Sequence, residues 1–278
     1  MPRPDGRLPN QIRPFAATPG ALSRADGSSR FSHERTELLA SVYGPCEARR
    51  ARELSHTAAV EVLFRPRGGL PGPREREAEA LLCRAVEYAA LGALHPRTAL
   101  SLVLQVVHDD GALLSAALHA ACVALLHAGV PLRGMLAGCT IAILHDGEMV
   151  LDPTAQEELE ARTVVSLGYM FRTCYQYDEG DEGAEGEEGG GNGDEWEPPK
   201  HTIERELLLS HVRGVLSQEE YALCLHAAQQ AGICVSAFCR QVMERSTNCE
   251  AKLPSGRVTR DQDEAITQLL KESMDTSA

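Results

Sequence analysis

The chain has 278 residues, 43% of them apolar, and a formal net charge of −13 at neutral pH. This apolar content is sufficient for an ordinary core and excludes a wholly disordered chain. Because residues 1–8 form no apolar leader and no later stretch approaches about 18 uncharged apolar residues, we expect a chain that is neither secreted nor embedded in a bilayer.

Short strands are predicted over the first quarter of the chain, at residues 13–17, 28–33, 36–43 and 58–65. Turns separate these segments, and in the last of them valine and phenylalanine recur at every second position. We therefore expect the strands in this part of the chain to be mainly antiparallel.

Two helices and one strand are predicted next. Apolar side chains recur at helical spacing over residues 73–94, which predicts an amphipathic helix. Residues 98–107 are almost continuously apolar, which favours a central strand covered on both faces, and a turn is predicted at residues 109–111. A second helix is predicted over residues 115–127, and Gly129 just beyond this range ends the helical pattern.

The second half of the chain begins with a predicted hairpin. Residues 137–144 and 149–151 flank an Asp-Gly pair, and a further strand is predicted at residues 163–169. A capping box from Ser217 to Glu220 opens a long helix. The order of the elements predicts an α+β sandwich with helices packed on a mixed sheet.

A tract of Gly, Glu and Asp interrupts this half. Residues 178–197 cannot bury apolar surface, so we expect a disordered acidic insertion that serves solubility, with an RNA-mimicking or partner-binding arm as the alternative. Residues 1–177 and 198–246 then form a single domain, and residues 247–278 form a polar, mobile tail. Ten of the acids lie in the insertion, and without them the net charge of −13 becomes −3.

Cysteine and histidine spacings do not predict a metal site. The nine cysteines form no CxxC pair and lie mostly in apolar segments, as buried thiols do in a reducing compartment. His119 and Cys122 lie one helical turn apart, but without a second such pair we interpret them as core residues. We predict no metal, no cofactor and no disulfide framework.

Arginine dominates the basic residues. Since only three lysines occur among the 27 basic side chains, 24 are arginines, which bind phosphate with two parallel hydrogen bonds. GC-rich codon usage gives the same bias, and composition does not decide between the two. Arg65, Arg67, Arg74 and Arg76 surround a Gly- and Pro-rich turn and are candidates to contact an RNA backbone, with a merely solvated loop as the alternative.

Several segments, in matching order and separation, resemble the RNase PH family, whose bacterial members are phosphorolytic exoribonucleases. They are Asp5-Gly6-Arg7, Arg13-Pro14, Gly27-Ser28 and Asp110-Gly111, together with residues 42–45, 104–107 and 120–125. Residues 70–72, 94–98, 128–131 and 150–154 resemble a ring subunit of the eukaryotic RNA exosome. The resemblance covers residues 5–245 apart from the acidic insertion.

The resemblance implies an RNase PH-like fold of the ribosomal protein S5 domain 2-like type, a sandwich of two βαβα halves with helices packed on mixed sheets. It implies a heterodimer with another RNase PH-like subunit inside a hexameric ring, contacts with cap subunits and with single-stranded RNA, and no membrane partner. The implied role is 3′–5′ RNA processing and degradation, including rRNA processing and mRNA turnover. The implied locations are the nucleus and nucleolus, and also the cytoplasm.

The resemblance also implies that phosphorolysis has been lost. Active members hold inorganic phosphate with cations beside carboxylates. Arg84 matches one phosphate-binding arginine, with a solvated helix arginine as the alternative, whereas Leu114 stands where the second arginine is found. Glu158, beside Glu157, matches one family carboxylate, and Ala161 replaces the other. We expect a non-catalytic subunit in which Glu157 and Glu158 are vestigial candidates.

Two rival hypotheses come from other functional classes. The first is a self-paired, metal-dependent hydrolytic nuclease on RNA or DNA that uses Glu157, Glu158 and Asp152 to hold a divalent ion. The second is an RNA-binding module that works outside the exosome. Arg97, in a Pro-Arg-Thr segment of the family, completes the set of RNA-binding candidates, with a structural role as its alternative.

Overall fold

A computed structural model gives the structure of the chain and describes residues 3, 6–176 and 200–251. Its first half contains β1 (Phe15–Pro19), β2 (Gly27–His33), β3 (Thr36–Glu47), β4 (Ala59–Arg65), α1 (Pro73–Ala89), a 3₁₀ turn (Gly92–Leu94), β5 (Thr98–His108) and α2 (Leu113–His127). The second half contains β6 (Met135–Ile143), β7 (Met149–Leu151), α3 (Ala155–Glu160), β8 (Thr163–Gln176), β9 (Lys200–Gly214) and α4 (Gln218–Ala251).

The strands form two sheets. The first has the order β1-β2-β3-β5-β4, and only the β4–β5 pair is parallel, because α1 forms the crossover between these two strands. The second has the order β7-β6-β8-β9 and is antiparallel throughout. The predicted α+β sandwich is confirmed, whereas mixed pairing occurs in the first sheet alone.

Helix α2 forms the centre of the core. It contacts β2 and β3 of the first sheet and β6 of the second, and its residues from Ser115 to Leu125 are all buried. A helix that is apolar on every side is stable only when it is covered on every side. The many alanines of α2 and Gly138 on β6 allow this close packing, since a Cβ on Gly138 would lie 3.1 Å from Ser115 Cα.

The end of α1 differs from the prediction. The helix buries Leu82, Val86 and Ala89 but ends at Ala89, five residues before the predicted end at residue 94. Ala90 is extended, and Gly92 lies where a Cβ would be 3.3 Å from the Ala58 backbone. The chain leaves the helix there to pass close to the entry of β4, a contact that the local spacing of apolar residues does not reveal.

Strand β5 is less covered than predicted. Residues at alternate positions, among them Leu100, Leu102 and Leu104, are buried, while those between them, such as Val103 and Gln105, are only half-buried. One face of the strand therefore supplies most of the core.

The second half contains elements that were not predicted. The polar stretch before β8 is the short helix α3, which begins with a capping box between Thr154 and Glu157. Strand β9 was not predicted because its apolar residues do not alternate: Leu207, Leu208 and Leu209 are consecutive. Strand β8 continues to Gln176, seven residues beyond the predicted end.

Helix α4 begins with the predicted capping box, in which Ser217 and Glu220 exchange backbone and side-chain hydrogen bonds of 2.9 and 3.2 Å. By length and composition, its residues 218–248 could cross a bilayer, contrary to the expectation that no stretch would qualify. Its side chains at Cys224, Ala228 and Cys239 are fully buried, as in a helix that covers a core.

The predicted insertion at residues 178–197 lies outside the described residues, as does the tail after Ala251. Residues 247–251, predicted as the start of the tail, belong to α4. One compact unit comprises residues 1–243.

The cysteines that the structure describes are free thiols. Cys122, Cys139, Cys224 and Cys239 are buried, while Cys46 and Cys234 are exposed. Burial raises the pKa of Cys122 to about 12, and its sulfur accepts a hydrogen bond from the Leu136 amide. Cys122 is thus a core residue, as predicted.

Candidate functional site

A cleft of about 510 Å³ lies where the first turns of α1, the start of α2, α3 and the end of β9 meet. It is lined by Phe64, Arg74, Glu75, Glu77, Ala78, Leu81, Asp109, Gly111, Leu113, Leu114, Glu158, Ser166, His211, Val212 and Arg213. Several of the residues singled out in the sequence meet here, although they come from distant parts of the chain. The cleft is therefore the candidate functional site.

The floor of the cleft is hydrocarbon. Leu113 and Leu114 open helix α2 and are half-buried, and Leu81 of α1 lies beside them in the lining. Leucine has no donor or charge with which to hold an anion. At the position that Leu114 occupies, the cleft cannot neutralise a phosphate.

The charged groups of the cleft are mostly paired with each other. Arg213 donates to Glu158 at 2.7 Å, and His211 lies 3.3 Å from Glu77. Arg74 forms no ion pair with the part of the chain that the structure describes. Four carboxylates face two arginines in the lining: Glu75, Glu77, Asp109 and Glu158 against Arg74 and Arg213. The field in the cleft thus disfavours an incoming anion.

Arg13, which belongs to the Arg13-Pro14 segment, connects the turn before α2 with the turn before α3 beside the cleft. Its guanidinium is fully buried and donates to the Asp110 carbonyl at 2.9 Å and to the Gly111 carbonyl at 3.4 Å, just before α2. It also donates to the Pro153 carbonyl at 3.3 Å, just before α3. Gly111 has a φ of +82°, and a Cβ there would lie 2.6 Å from Pro153 O, so only glycine allows this approach.

Asp152 is the buried acceptor at the centre of this arrangement. Arg13 donates to its two oxygens at 2.7 and 3.0 Å, and His33 Nδ1 lies 3.6 Å away. Burial alone would raise the pKa of Asp152, but the contacts with His33 and Arg13 outweigh it and hold the pKa well below its ordinary value. Asp152 therefore stays ionised.

Two buried histidines continue the network into α2. His119 Nε2 lies 2.8 Å from the Gly138 amide nitrogen and 2.9 Å from the Gly138 carbonyl oxygen, and His119 Nδ1 lies 2.9 Å from His33 Nε2. On the other side of the His33 ring, Nδ1 is directed towards Asp152. Burial lowers the pKa of both histidines, and both are neutral at neutral pH. His119 is thus a core residue, as predicted.

The two vestigial candidates are directed away from each other. Glu157 is buried and accepts two hydrogen bonds from Arg3, at 2.7 and 2.8 Å, while it also caps α3. Burial would raise the pKa of Glu157, but the bonds from Arg3 and from the Thr154 amide lower it. Glu158 alone faces the cleft, where it accepts from the Ala112 amide at 2.7 Å.

The metal-dependent rival needs Asp152, Glu157 and Glu158 to converge on one ion, and they do not. Arg13, Arg3 and Arg213 respectively hold their carboxylates. Among the described residues, no group of three or more His, Cys, Asp or Glu side chains is arranged to hold a metal. The geometry does not favour the hydrolytic nuclease.

The predicted RNA-binding arginines do not form one site. All six are exposed: Arg65, Arg67, Arg74, Arg76, Arg84 and Arg97. Only Arg74 lines the cleft, and Arg84 lies ten residues further along the same helix, about 15 Å away. Arg97 pairs with Glu53 at 3.7 Å, and its backbone bonds to Leu54 and Ala48, which supports its structural alternative.

Several residues of the site could not be identified from the sequence, because the fold brings them in from a distance. Arg213 and His211 come from β9, which was not predicted, and no local signal marks them. No pattern in the sequence indicates a partner for Arg3, and Arg13 is marked only by its place in the Arg13-Pro14 motif. Burial of an arginine in an otherwise apolar and acidic setting is visible only once the fold is known.

Known proteins resemble the chain in sequence over most of its length. A family model described as "3' exoribonuclease family, domain 1" (RNase PH) matches residues 11–131. A rice protein named exosome complex exonuclease RRP46 homolog is 35% identical over 243 residues, 87% of this chain and 96% of the relative. Its Arabidopsis thaliana counterpart of the same name is 34% identical over 88% of this chain and 97% of the relative.

Solved structures agree with the sequence matches. The crystal structure of rice Rrp46 superposes with a TM-score of 0.69 at 34% identity, covering 86% of this chain and 98% of that chain. An archaeal exosome core superposes with a TM-score of 0.63 at 15% identity, covering 86% of this chain and 91% of that chain, which is a likeness of fold alone.

Proposed function

The chain belongs to the RNase PH family of 3′ exoribonucleases, and we propose that it serves as a ring subunit of an RNA exosome that does not itself cleave RNA. Membership of the exosome is supported by the two plant relatives, whose names place them in the exosome complex and whose sequences match almost end to end.

One observation carries the loss of catalysis. At the start of α2, Leu113 and Leu114 fill the part of the cleft where phosphorolysis requires a cation, and Arg213 is already neutralised by Glu158. Phosphorolysis needs inorganic phosphate held beside the scissile bond by preorganised donors. Arg74, which has no ion-pair partner among the described residues, lies on another element and cannot supply that arrangement alone.

The subunit contributes instead to assembly and to RNA contact. Its partners are another RNase PH-like subunit, paired as a heterodimer within the hexameric ring, and the cap subunits. Arg65, Arg67, Arg74 and Arg76 are exposed around the turn between β4 and α1 and form no ion pair within the described residues, so their charges are available to RNA phosphates. Arg84 is exposed about 15 Å further along α1 and is a separate candidate contact.

The cellular role that follows is 3′–5′ processing and degradation of RNA, including rRNA processing and mRNA turnover. The subunit works in the nucleus and nucleolus and also in the cytoplasm. The nuclease that degrades the RNA is then a different chain that is bound to the ring.

Affinity purification of the tagged full chain from cells tests the assembly. A ring subunit brings down the other RNase PH-like chains and the cap chains in equal amounts, as quantified by mass spectrometry. Recovery of the chain alone, or only as a pair of identical copies, would contradict the proposal and would favour an RNA-binding module outside the exosome.

A further inference from the structure

Helix α2 begins inside the cleft without a capping side chain. Its N-cap is Ala112, in the left-handed conformation with a φ of +51°, and alanine has no oxygen to accept the free amides of the first turn. The 15-residue helix therefore presents the positive end of its dipole to the cleft. Such an end stabilises an anion that reaches it.

That anion is part of the chain. Glu158 extends from α3 and places one carboxylate oxygen 2.7 Å from the Ala112 amide, while the other accepts from Arg213 at 2.7 Å. Its side chain is only 18% exposed although it lies in an open cleft. The carboxylate thus accepts from the backbone amide of the N-cap residue of α2 and from a guanidinium, two kinds of donor that also hold bound phosphate.

We propose that Glu158 is an internal anion that occupies the anion-binding position of this cleft and keeps inorganic phosphate out of it. Glu158 accepts the hydrogen bond of the Ala112 amide and neutralises Arg213. A phosphate that approached the same place would be repelled by the negative charge of the carboxylate. This inference rests on the proposed function, since it adds a second obstacle to phosphate in a cleft where Leu114 replaces a phosphate-binding arginine.

Phosphate affinity of the full-length chain tests the inference. Inorganic phosphate is titrated into the wild type and into the Glu158→Gln variant, and binding is followed by isothermal calorimetry and by ³¹P line broadening. The wild type is expected to show no saturable binding at millimolar phosphate. Glu158→Gln removes the charge at constant size and is expected to bind at least about tenfold more tightly. Addition of Leu114→Arg to this variant is expected to tighten binding further.

Glu160→Gln is the matched control, because Glu160 lies on the same helix, is exposed and does not line the cleft. It is expected to behave as the wild type. Equal phosphate affinity in the wild type and Glu158→Gln, or an equal gain in Glu160→Gln, would overturn the inference. If Glu158→Gln does not fold, Glu158→Ala with Arg213 retained serves in its place and carries the same two outcomes.

These outcomes are separate from those of the proposed function. Ring assembly in cells tests the latter, and it does not depend on the phosphate affinity of the isolated chain. A wild type that assembles into the ring but binds phosphate as tightly as Glu158→Gln refutes only the role of Glu158.

Discussion

Replacement of Arg13 by methionine removes the guanidinium that joins the turn before α2 to the turn before α3. The side chains of Arg13 and Asp152 are 0% and 4% exposed, so the change leaves an ionised carboxylate buried without its partner. Loss of one member of a buried pair costs about 3–5 kcal/mol of the free energy of unfolding. In a domain of this size, that corresponds to a fall in Tm of roughly 6–20 °C.

The comparison variant is Arg30→Met, which breaks an ion pair with Glu37 in which the arginine is 59% exposed. An exposed pair contributes about 0–1 kcal/mol, so this variant is expected to unfold within a few degrees of the wild type. Unfolding is followed by circular dichroism in parallel for both. Addition of Asp152→Asn to Arg13→Met removes the stranded charge and is expected to restore part of the stability. If Arg13→Met and Arg30→Met unfold at the same temperature, the anchoring role of Arg13 is wrong.

Three further predictions concern acid stability, metal dependence and RNA. Because the folded state lowers the pKa of His33 and His119, the unfolded chain binds more protons below about pH 6.5, and stability is expected to fall there by up to about 1.4 kcal/mol per pH unit for each histidine. Urea unfolding from pH 7 to 5 measures the slope, and a flat profile contradicts the burial of these two histidines in their neutral form. Titration of magnesium or manganese is expected to reveal no nuclease activity in the wild type or in Glu158→Gln, and a metal-dependent activity that disappears in the variant would revive the nuclease hypothesis. Arg67→Gln/Arg76→Gln is expected to lower the salt dependence of single-stranded RNA binding by about 0.7 for each phosphate that is no longer neutralised, whereas Arg30→Gln leaves the slope unchanged; equal slopes in all three proteins exclude these arginines from the RNA surface.

The local sequence pattern predicted those elements in which the local preferences of the residues and their packing in the fold favour the same structure. Helix α2 was located because a nearly continuous run of apolar residues, ended by Gly129, has one stable placement, a helix in the middle of the core. The hairpin between β6 and β7 followed from Asp146 and Gly147, since Gly147 adopts the positive φ of +82° that the turn requires. The capping box at Ser217 likewise acts within one turn of helix.

Elements determined by distant contacts were not predicted. Strand β9 exists because β8 offers a long paired edge, and three consecutive leucines hide its alternation. The candidate site likewise combines residues that the sequence identifies with partners that only the fold reveals. Leu114 and Glu158 were identified through their resemblance to the family, but the partners that decide what Glu158 does, Ala112 and Arg213, lie 46 and 55 residues away in sequence. The sequence placed Glu157 and Glu158 together as one candidate pair, and burial against Arg3 separates them.

Phosphate-dependent trimming of single-stranded RNA by the purified full chain tests the central claim most directly. With a phosphorolytic member of the family as the positive control, release of nucleoside diphosphates is measured with and without inorganic phosphate. A cleft floored by leucine and closed by its own carboxylate predicts no release above the protein-free background in either condition. Sustained, phosphate-dependent shortening of the RNA would contradict the account.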